Sequence, residues 1–263
     1  MDLQLEGKKA LVTGGAKGIG EAICRSLANE GVSVCILDRD GPAAKALVQD
    51  LGNGATYQTV DLTDLDALKA AAEVTTDWAG SELDILVNNA GVNDGAGLEA
   101  GPDAFLASLQ KNLLHVYALV HHCLPALKAA QGSILNITSK VAETGQGNTS
   151  GYAASKGAVN GLTREWALAL APHNIRVNAI APAEVLTPLY KSWLATLENP
   201  EETLQHIQAQ IPLGKRMTKA QEIADLATFL LSPRSAHTTG QILYPDGGYT
   251  HLDRACTSAL FNS

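Results

Sequence analysis

Short β-rich runs recur along the chain at Lys9 to Val12, Ser33 to Leu37, Thr56 to Val60, Ile85 to Asn88, Ser133 to Ile137, Arg176 to Ile180 and Ile242 to Tyr244. Between them, apolar positions fall at helical spacing over Gly18 to Glu30, Gly41 to Leu51, Leu65 to Trp78, Pro102 to Lys128, Tyr152 to Ala171 and Ala220 to Leu231. Strand and helix alternate, and each connection is too long for a hairpin, so the sheet is expected to be parallel with helices on both faces. No repeat, linker or shift in composition marks a boundary, which predicts an α/β chain folded as a single doubly wound domain over residues 1–263. The rhythm breaks at residues 187–215, where two short helical patterns around Trp193 and Gln205 predict an insertion over the carboxyl edge of the sheet, placed as a substrate lid. The C-terminal tail, residues 251–263, mixes charge with Leu252, Leu260 and Phe261 and is expected either to reach a neighbouring subunit or to fray.

Composition narrows the function classes. With 263 residues, 46% hydrophobic and 17% charged, the chain can bury a sizeable core, and disorder is excluded as its main state. The 27 acidic residues exceed the 19 basic ones, giving −8, so nucleic acid and anionic membranes are not expected partners. The apolar stretch Val116 to Ala130 is interrupted by His121, His122, Pro125 and Lys128, and the first residues carry acids where a signal peptide carries bases; a cytoplasmic location is expected. Cys24, Cys35, Cys123 and Cys256 have no CxxC spacing and the seven histidines no metal spacing, so reduced thiols and no metal site are expected. Apolar residues on more than one face of the helices around Leu113 to Leu127 and Ala153 to Ala171 predict a homo-oligomer, a dimer or a dimer of dimers.

The first candidate chemistry follows the first strand. Thr13-Gly14-Gly15-Ala16-Lys17-Gly18-Ile19-Gly20 leads from a strand into a helix, the context in which glycines let a pyrophosphate approach backbone N–H groups at a helix N-terminus. Asp38 ends the next strand, where a carboxylate can accept the adenosine ribose hydroxyls and repel a 2′-phosphate. This favours NAD, while Lys17 and Arg39 are cations that keep NADP as the alternative.

The second lies on the helix that opens near Tyr152. Tyr152 and Lys156 are four residues apart and share a face, and Ser139 follows the strand ending at Ile137, whose carboxyl end faces the dinucleotide. A tyrosine is a poor base at neutral pH, and a nearby Lys plus a positive nicotinamide ring is expected to pull its pKa down. Tyr152 can then take a hydroxyl proton while hydride leaves to the cofactor, with Ser139 holding the reacting oxygen.

With these motifs, from Thr13-Gly14 to Asp246-Gly247-Gly248, the chain resembles the short-chain dehydrogenase/reductase family over nearly its whole length. The resemblance implies a Rossmann domain with a mostly parallel seven-stranded sheet. It also implies a cofactor floor at Asn88-Asn89-Ala90-Gly91, contacts from Asp61 and Leu62 to the adenine and from Thr187 to the carboxamide, further cofactor contacts from Pro182 and Val185, and a fourth catalytic place at Asn112. Read from its neighbours alone, Asn112 is a helix-surface amide or a kink. Pro182-Ala183 departs from the family's usual Pro-Gly.

Segments bordering the nicotinamide carry Asn93, Asp94, Lys140, Glu143, Gln146, Asn148, Glu184, Tyr190 and Trp193, a set rich in hydrogen-bonding groups with one large aromatic face. Such a pocket suits a polyhydroxylated small molecule. Within the family, the stretches 88–94, 144–152, 182–190 and 247–254 are similar to bacterial L-fucose dehydrogenases, which implies oxidation of the anomeric hydroxyl of an aldose to a lactone. The alternatives are a carbonyl reductase of a keto acid or acyl thioester, and a non-catalytic dinucleotide-binding regulator. The intact set of Ser139, Tyr152, Lys156 and Asn112 argues against the regulator.

Overall fold

The computed structural model describes residues 1–251; most of the C-terminal tail, and with it Cys256 and the expected reach to a neighbouring subunit, lies outside the described residues. Seven strands among the described residues form one sheet: β1 (Lys9–Thr13), β2 (Ser33–Asp38), β3 (Thr56–Thr59), β4 (Ile85–Asn88), β5 (Ser133–Ile137), β6 (Arg176–Ile180) and β7 (Ile242–Leu243). Their order is β3-β2-β1-β4-β5-β6-β7, and every pairing is parallel. Among the described residues nine α-helices connect them: α1 (Gly18–Asn29), α2 (Gly41–Leu51), α3 (Leu65–Trp78), α4 (Gly101–Leu109), α5 (His115–Ala130), α6 (Ser150–Leu170), α7 (Pro188–Leu194), α8 (Pro200–Ala209) and α9 (Ala220–Leu231).

Successive strand residues feed opposite layers. Ala10 and Val12 pack with α1, α2 and α9, whereas Leu11 packs with α3, α5 and α6; Val34 and Ile36 divide from Cys35 and Leu37 in the same way. Both faces are therefore apolar, which is why the strands read as continuous hydrophobic runs. The chain leaves β1 in one direction for β2 and β3 and returns on the other side as β4, so the carboxyl ends of β1 and β4 flank the crevice where the topology reverses.

The expected single helix from Pro102 to Lys128 is corrected. It is two helices, α4 and α5, joined through a turn of π-helix at Gln110–Leu114. One extra residue in a turn leaves the apolar periodicity almost unchanged, so the pattern reads through it. Residues 187–215 contain the two short helices expected there, α7 and α8. Cys24, Cys35 and Cys123 are buried and unpaired, and burial raises all three thiols, Cys123 to about 12. Among the described residues no cluster of His, Cys, Asp and Glu has metal-binding geometry, and no helix is long and apolar enough to cross a membrane.

Candidate active site

The phosphate cradle is made of backbone. α1 begins without a side-chain cap, so the N–H groups of its first turn are left for an anion. Gly20 lies against the carbonyl of Gly14: a Cβ there would stand 2.1 Å from that oxygen and 2.6 Å from Asn89 Nδ2. Asn89 Nδ2 donates to the carbonyls of Thr13 (3.0 Å) and Gly14 (2.8 Å), while Thr13 Oγ1 accepts from the N–H groups of Asn89 (3.0 Å) and Ala90 (3.1 Å). The Asn89-Ala90 floor thus holds the loop in shape, and Gly18 and Ile19 open the helix above it. Asn88 turns into the sheet and donates to Asn136 Oδ1 at 2.9 Å.

Asp38 is half-buried at the end of β2. Its carboxylate accepts from the N–H of Ala16 at 3.0 Å and of Asp40 at 2.9 Å, which fixes its oxygens beside the glycine loop. The Lys17 ammonium is paired to Asp40 at 2.6 Å in a solvent-exposed ion pair, and each partner strengthens the other's charge. Arg39 and Asp61 are exposed, and Asp61 accepts from the N–H and hydroxyl of Thr63. Leu62 packs against the core below. An uncapped helix start, a loop with no room for a side chain and an acid at the next strand end fit a dinucleotide diphosphate and its ribose.

The four residues expected to carry the chemistry meet above the ends of β4 and β5. Lys156 is buried, and its Nζ donates to the Ile137 carbonyl at 2.8 Å and lies 5.5 Å from the centre of the Tyr152 ring. Ser139 lies near enough to the Tyr152 phenol to favour its ionised form, and its Oγ accepts from the Val141 N–H at 3.4 Å. A Cβ on Gly91 would stand 3.2 Å from both Lys156 Nζ and Asn112 Oδ1, so only a bare backbone fits between them. Asn112 is fully buried in the π turn, which overturns its reading as a helix-surface amide. Its Oδ1 accepts from the Val92 N–H at 2.7 Å and its Nδ2 donates to the Ser108 carbonyl at 3.0 Å. Burial pushes the Lys156 ammonium down to about 8 and the Tyr152 phenol up to about 12, with nearby Ser139 opposing the latter. The expected downward pull on Tyr152 is therefore not built into the protein alone.

Beside Ser139 lies a polar cluster. Lys140 and Glu184 form an ion pair whose side chains are only 11% and 12% exposed, and Tyr190 Oη donates to the other Glu184 oxygen at 2.7 Å. Burial and the carboxylate together raise the Tyr190 phenol. Trp193 stands edge-on to Tyr190 with ring centres 5.1 Å apart. Sequence reasoning missed Tyr249, whose ring lies 4.2 Å from Lys140 Nζ. Asp246 sets that segment by accepting from the N–H groups of Gly248 and Thr250, each at 2.8 Å. An aromatic directly after Gly247-Gly248 was the available signal.

The other expected pocket residues are less closely engaged. Asn93 is exposed and accepts from Thr149 Oγ1 at 2.6 Å; Glu143 accepts from Asn160 Nδ2 at 3.2 Å and, with burial, raises the Tyr244 phenol. Gln146 and Asn148 lie on an exposed loop, and among the described residues no hydrogen bond joins their side chains to the cluster. Pro182 accepts the Lys140 N–H through its carbonyl (2.9 Å), Val185 is buried, and Thr187 caps α7 beside Gly18.

Residues 14–250 match the sequence family described as Enoyl-(Acyl carrier protein) reductase. The chain is 37% identical over 244 residues to L-fucose dehydrogenase of Mus musculus, an alignment covering 92% of this chain and 88% of the relative. The crystal structure of Cj0485 dehydrogenase superposes with a TM-score of 0.92 at 47% identity, covering 97% of this chain and 98% of that one. That of 3-ketoacyl-(acyl-carrier-protein) reductase from Brucella melitensis complexed with NADH does so with a TM-score of 0.85 at 33% identity, over 94% and 100%. Likeness of this extent, on top of the cradle and the Ser-Tyr-Lys-Asn set, places the chain in the short-chain dehydrogenase/reductase family of NAD(P)-dependent oxidoreductases acting on CH–OH groups.

Proposed function

We propose that this enzyme is an NAD-dependent aldose 1-dehydrogenase that oxidises the anomeric hydroxyl of a pyranose such as L-fucose to its lactone. The observation that carries the reading is the Lys140–Glu184–Tyr190 cluster beside Ser139. Its charges are matched, its oxygens and N–H groups are held in place before any substrate arrives, and Trp193 offers a face to the apolar side of a sugar ring. A long acyl chain has no use for such a wall, and its desolvation would cost affinity. The likeness to L-fucose dehydrogenase points the same way.

When bound, NAD supplies the acceptor for the hydride from the anomeric carbon. Ser139 holds the reacting hydroxyl, and Tyr152, the catalytic base, receives its proton at Oη. Lys156 supplies positive charge beneath the phenol, and Asn112 fixes the floor on which Lys156 rests. Asp38 favours NAD over NADP, because a 2′-phosphate within about 4 Å of the carboxylate costs on the order of 4 kcal/mol per pair of unit charges near a surface. The one cation in the loop, Lys17, is already engaged by Asp40. The enzyme works in the cytoplasm as a dimer or a dimer of dimers, with exposed Leu106, Tyr117 and Leu168 on α4 to α6 forming its contact face.

The test is initial-rate reduction of NAD and NADP, at matched concentrations near pH 8, with L-fucose, D-arabinose, L-galactose, simple alcohols and hydroxy acids. Fast NADH formation with the sugars is the expected result. No turnover with sugars, combined with NADPH consumption on 3-oxoacyl or keto-acid substrates, would make the protein a reductase.

A further inference from the structure

Asp94 lies in the loop after β4, two residues past Val92, and its side chain is only 14% exposed. Its carboxylate turns to the end of α4 and to the π turn: Oδ1 accepts from Ser108 Oγ at 2.8 Å and Oδ2 from Lys111 Nζ at 3.2 Å. Burial works against its charge, yet these two donors hold the carboxyl below its ordinary range, so it is an acceptor at working pH. Ser108 is fully buried and gives its one hydroxyl proton to Asp94. Lone pairs are what remain on Oγ, and at 3.5 Å it joins the Ser108 carbonyl, at 3.0 Å, in accepting from Asn112 Nδ2. The other end of that amide accepts from the Val92 N–H at 2.7 Å. The bonds close a ring from Val92 to Asn112, Ser108 and Asp94 and back along the loop. Turned over, the amide would set its oxygen against the Ser108 carbonyl and its nitrogen against the Val92 N–H. The ring therefore permits one orientation, with Oδ1 towards the gap over Gly91 across which Lys156 Nζ lies.

The two anchors of Asn112 sit on separate segments, the loop and the end of α4. Among the described residues, Ser108 to Asp94 is the one hydrogen bond between residues 92–95 and α4. Ser108 also sits against the start of α6. A Cβ on Gly151 would stand 2.5 Å from Ser108 Cβ and 2.6 Å from its Oγ, and Gly151, directly before Tyr152, donates its N–H to the Ala96 carbonyl at 3.0 Å. We infer that Asp94 and Ser108 are positioning residues of the reaction: their bond clamps the loop to α4 and so sets the Asn112 amide and the start of α6 that carries Tyr152. This rests on the roles given above to Asn112 and Tyr152. Two competing accounts are that the pair only fastens a loop, and that Asp94 is itself a ligand for the substrate. The first moves the melting temperature alone, and the second moves KM.

Asp94→Ala and Ser108→Ala cut the clamp from either side, and Asp94→Asn keeps an acceptor for Ser108 while dropping the charge. Melting temperature and NADH affinity by fluorescence titration are measured on each variant, with kcat and KM for L-fucose or, if L-fucose is inert, for whichever alcohol of the panel turns over. The expected result is a kcat about tenfold lower in each alanine variant, with KM for the alcohol and NADH affinity within about twofold of the parent, as for reacting groups held slightly out of line. The double variant should be no slower than the slower single one, because both substitutions remove the same bond. Asp94→Asn should recover most of the loss. Parental kcat in Asp94→Ala overturns the proposal, as does multiplication of the two losses in the double variant. A raised KM without a fall in kcat also overturns it and makes Asp94 a substrate ligand. If neither alanine variant stays folded at the assay temperature, the clamp is a requirement of the fold and the proposal fails. Parental kcat in Asn112→Ala or Tyr152→Phe sinks the underlying roles instead, independently of the clamp.

Discussion

The two halves of the cleft are built from opposite materials. On the nucleotide side, the glycine loop, the uncapped start of α1 and the Asn89-Ala90 floor present backbone to the ligand, and atoms are missing where side chains would otherwise stand. On the substrate side, Lys156, Asn112, Lys140, Glu184 and Tyr190 bring polar side-chain atoms into or against the interior. The first half therefore fails when atoms are added, and the second when atoms are removed. A cofactor that many substrates share needs a fixed cradle, whereas selecting one alcohol needs groups whose positions and charges can differ from one relative to the next.

The largest expected effect is the removal of a single oxygen. Tyr152→Phe should fold and bind NADH as the parent does, while kcat drops by about 10³-fold or more, because the proton acceptor is gone. NADH fluorescence titration beside initial rates checks both halves of that statement. The opposite operation on the other half is Gly20→Ala. The added methyl must displace the Gly14 carbonyl, 2.1 Å away, so the loop shifts and NADH affinity should fall by about 100-fold, about 3 kcal/mol, with a lower melting temperature.

Glu184→Ala should come next. It strands the largely buried Lys140 and the Tyr190 hydroxyl, costing about 2–3 kcal/mol in stability, and raises KM for the alcohol substrate more than it lowers kcat. Equal melting curves for variant and parent would show that the pair is not preorganised.

Lys156→Met should inactivate the enzyme yet stabilise it. Holding the ammonium near 8 instead of 10.5 costs ~3 kcal/mol at neutral pH, of which loss of the bond to Ile137 returns ~1. The sign fixes the pH dependence. Between pH 8 and 10.5 the unfolded chain still binds a proton that native Lys156 has released, so parental stability rises with pH through that window and Lys156→Met should lose this part of the slope. Above pH 10 the raised Tyr152 acts in the opposite sense, since the unfolded tyrosine ionises first. Urea unfolding at pH 7, 8 and 9 gives the comparison.

The smallest change is Asp40→Ala, which releases Lys17 from its exposed pair and should improve kcat/KM for NADP only a few fold, because the Asp38 carboxylate remains. A complete switch to NADP would mean that Asp40, not Asp38, sets the preference.

Which of these features the sequence discloses follows from the same contrast. The backbone half is written locally: glycines, a strand end and a helix start are neighbours in the chain, and their meaning survives without the fold. The strands were legible because both faces are buried, and Tyr152 and Lys156 because four residues on one helix are neighbours in space. Lys140 and Glu184 were legible as polar residues near the cleft but not as a pair, since 44 positions separate them. Nothing local says that Asn112 is buried. That depends on the π turn, which changes the rotation of α5 without changing which of its residues are apolar.

That turn also makes the enzyme sensitive to chain length. A π turn holds one residue more than a helix needs, so deleting a single residue between Leu109 and His115 would let α4 and α5 fuse into one regular helix. Every hydrophobic position could still find its core, but the residue presented beside Lys156 would change. The segment is therefore a place where loss of one codon is expected to leave a well-folded protein without activity, and where relatives of different substrate choice should nevertheless agree in length.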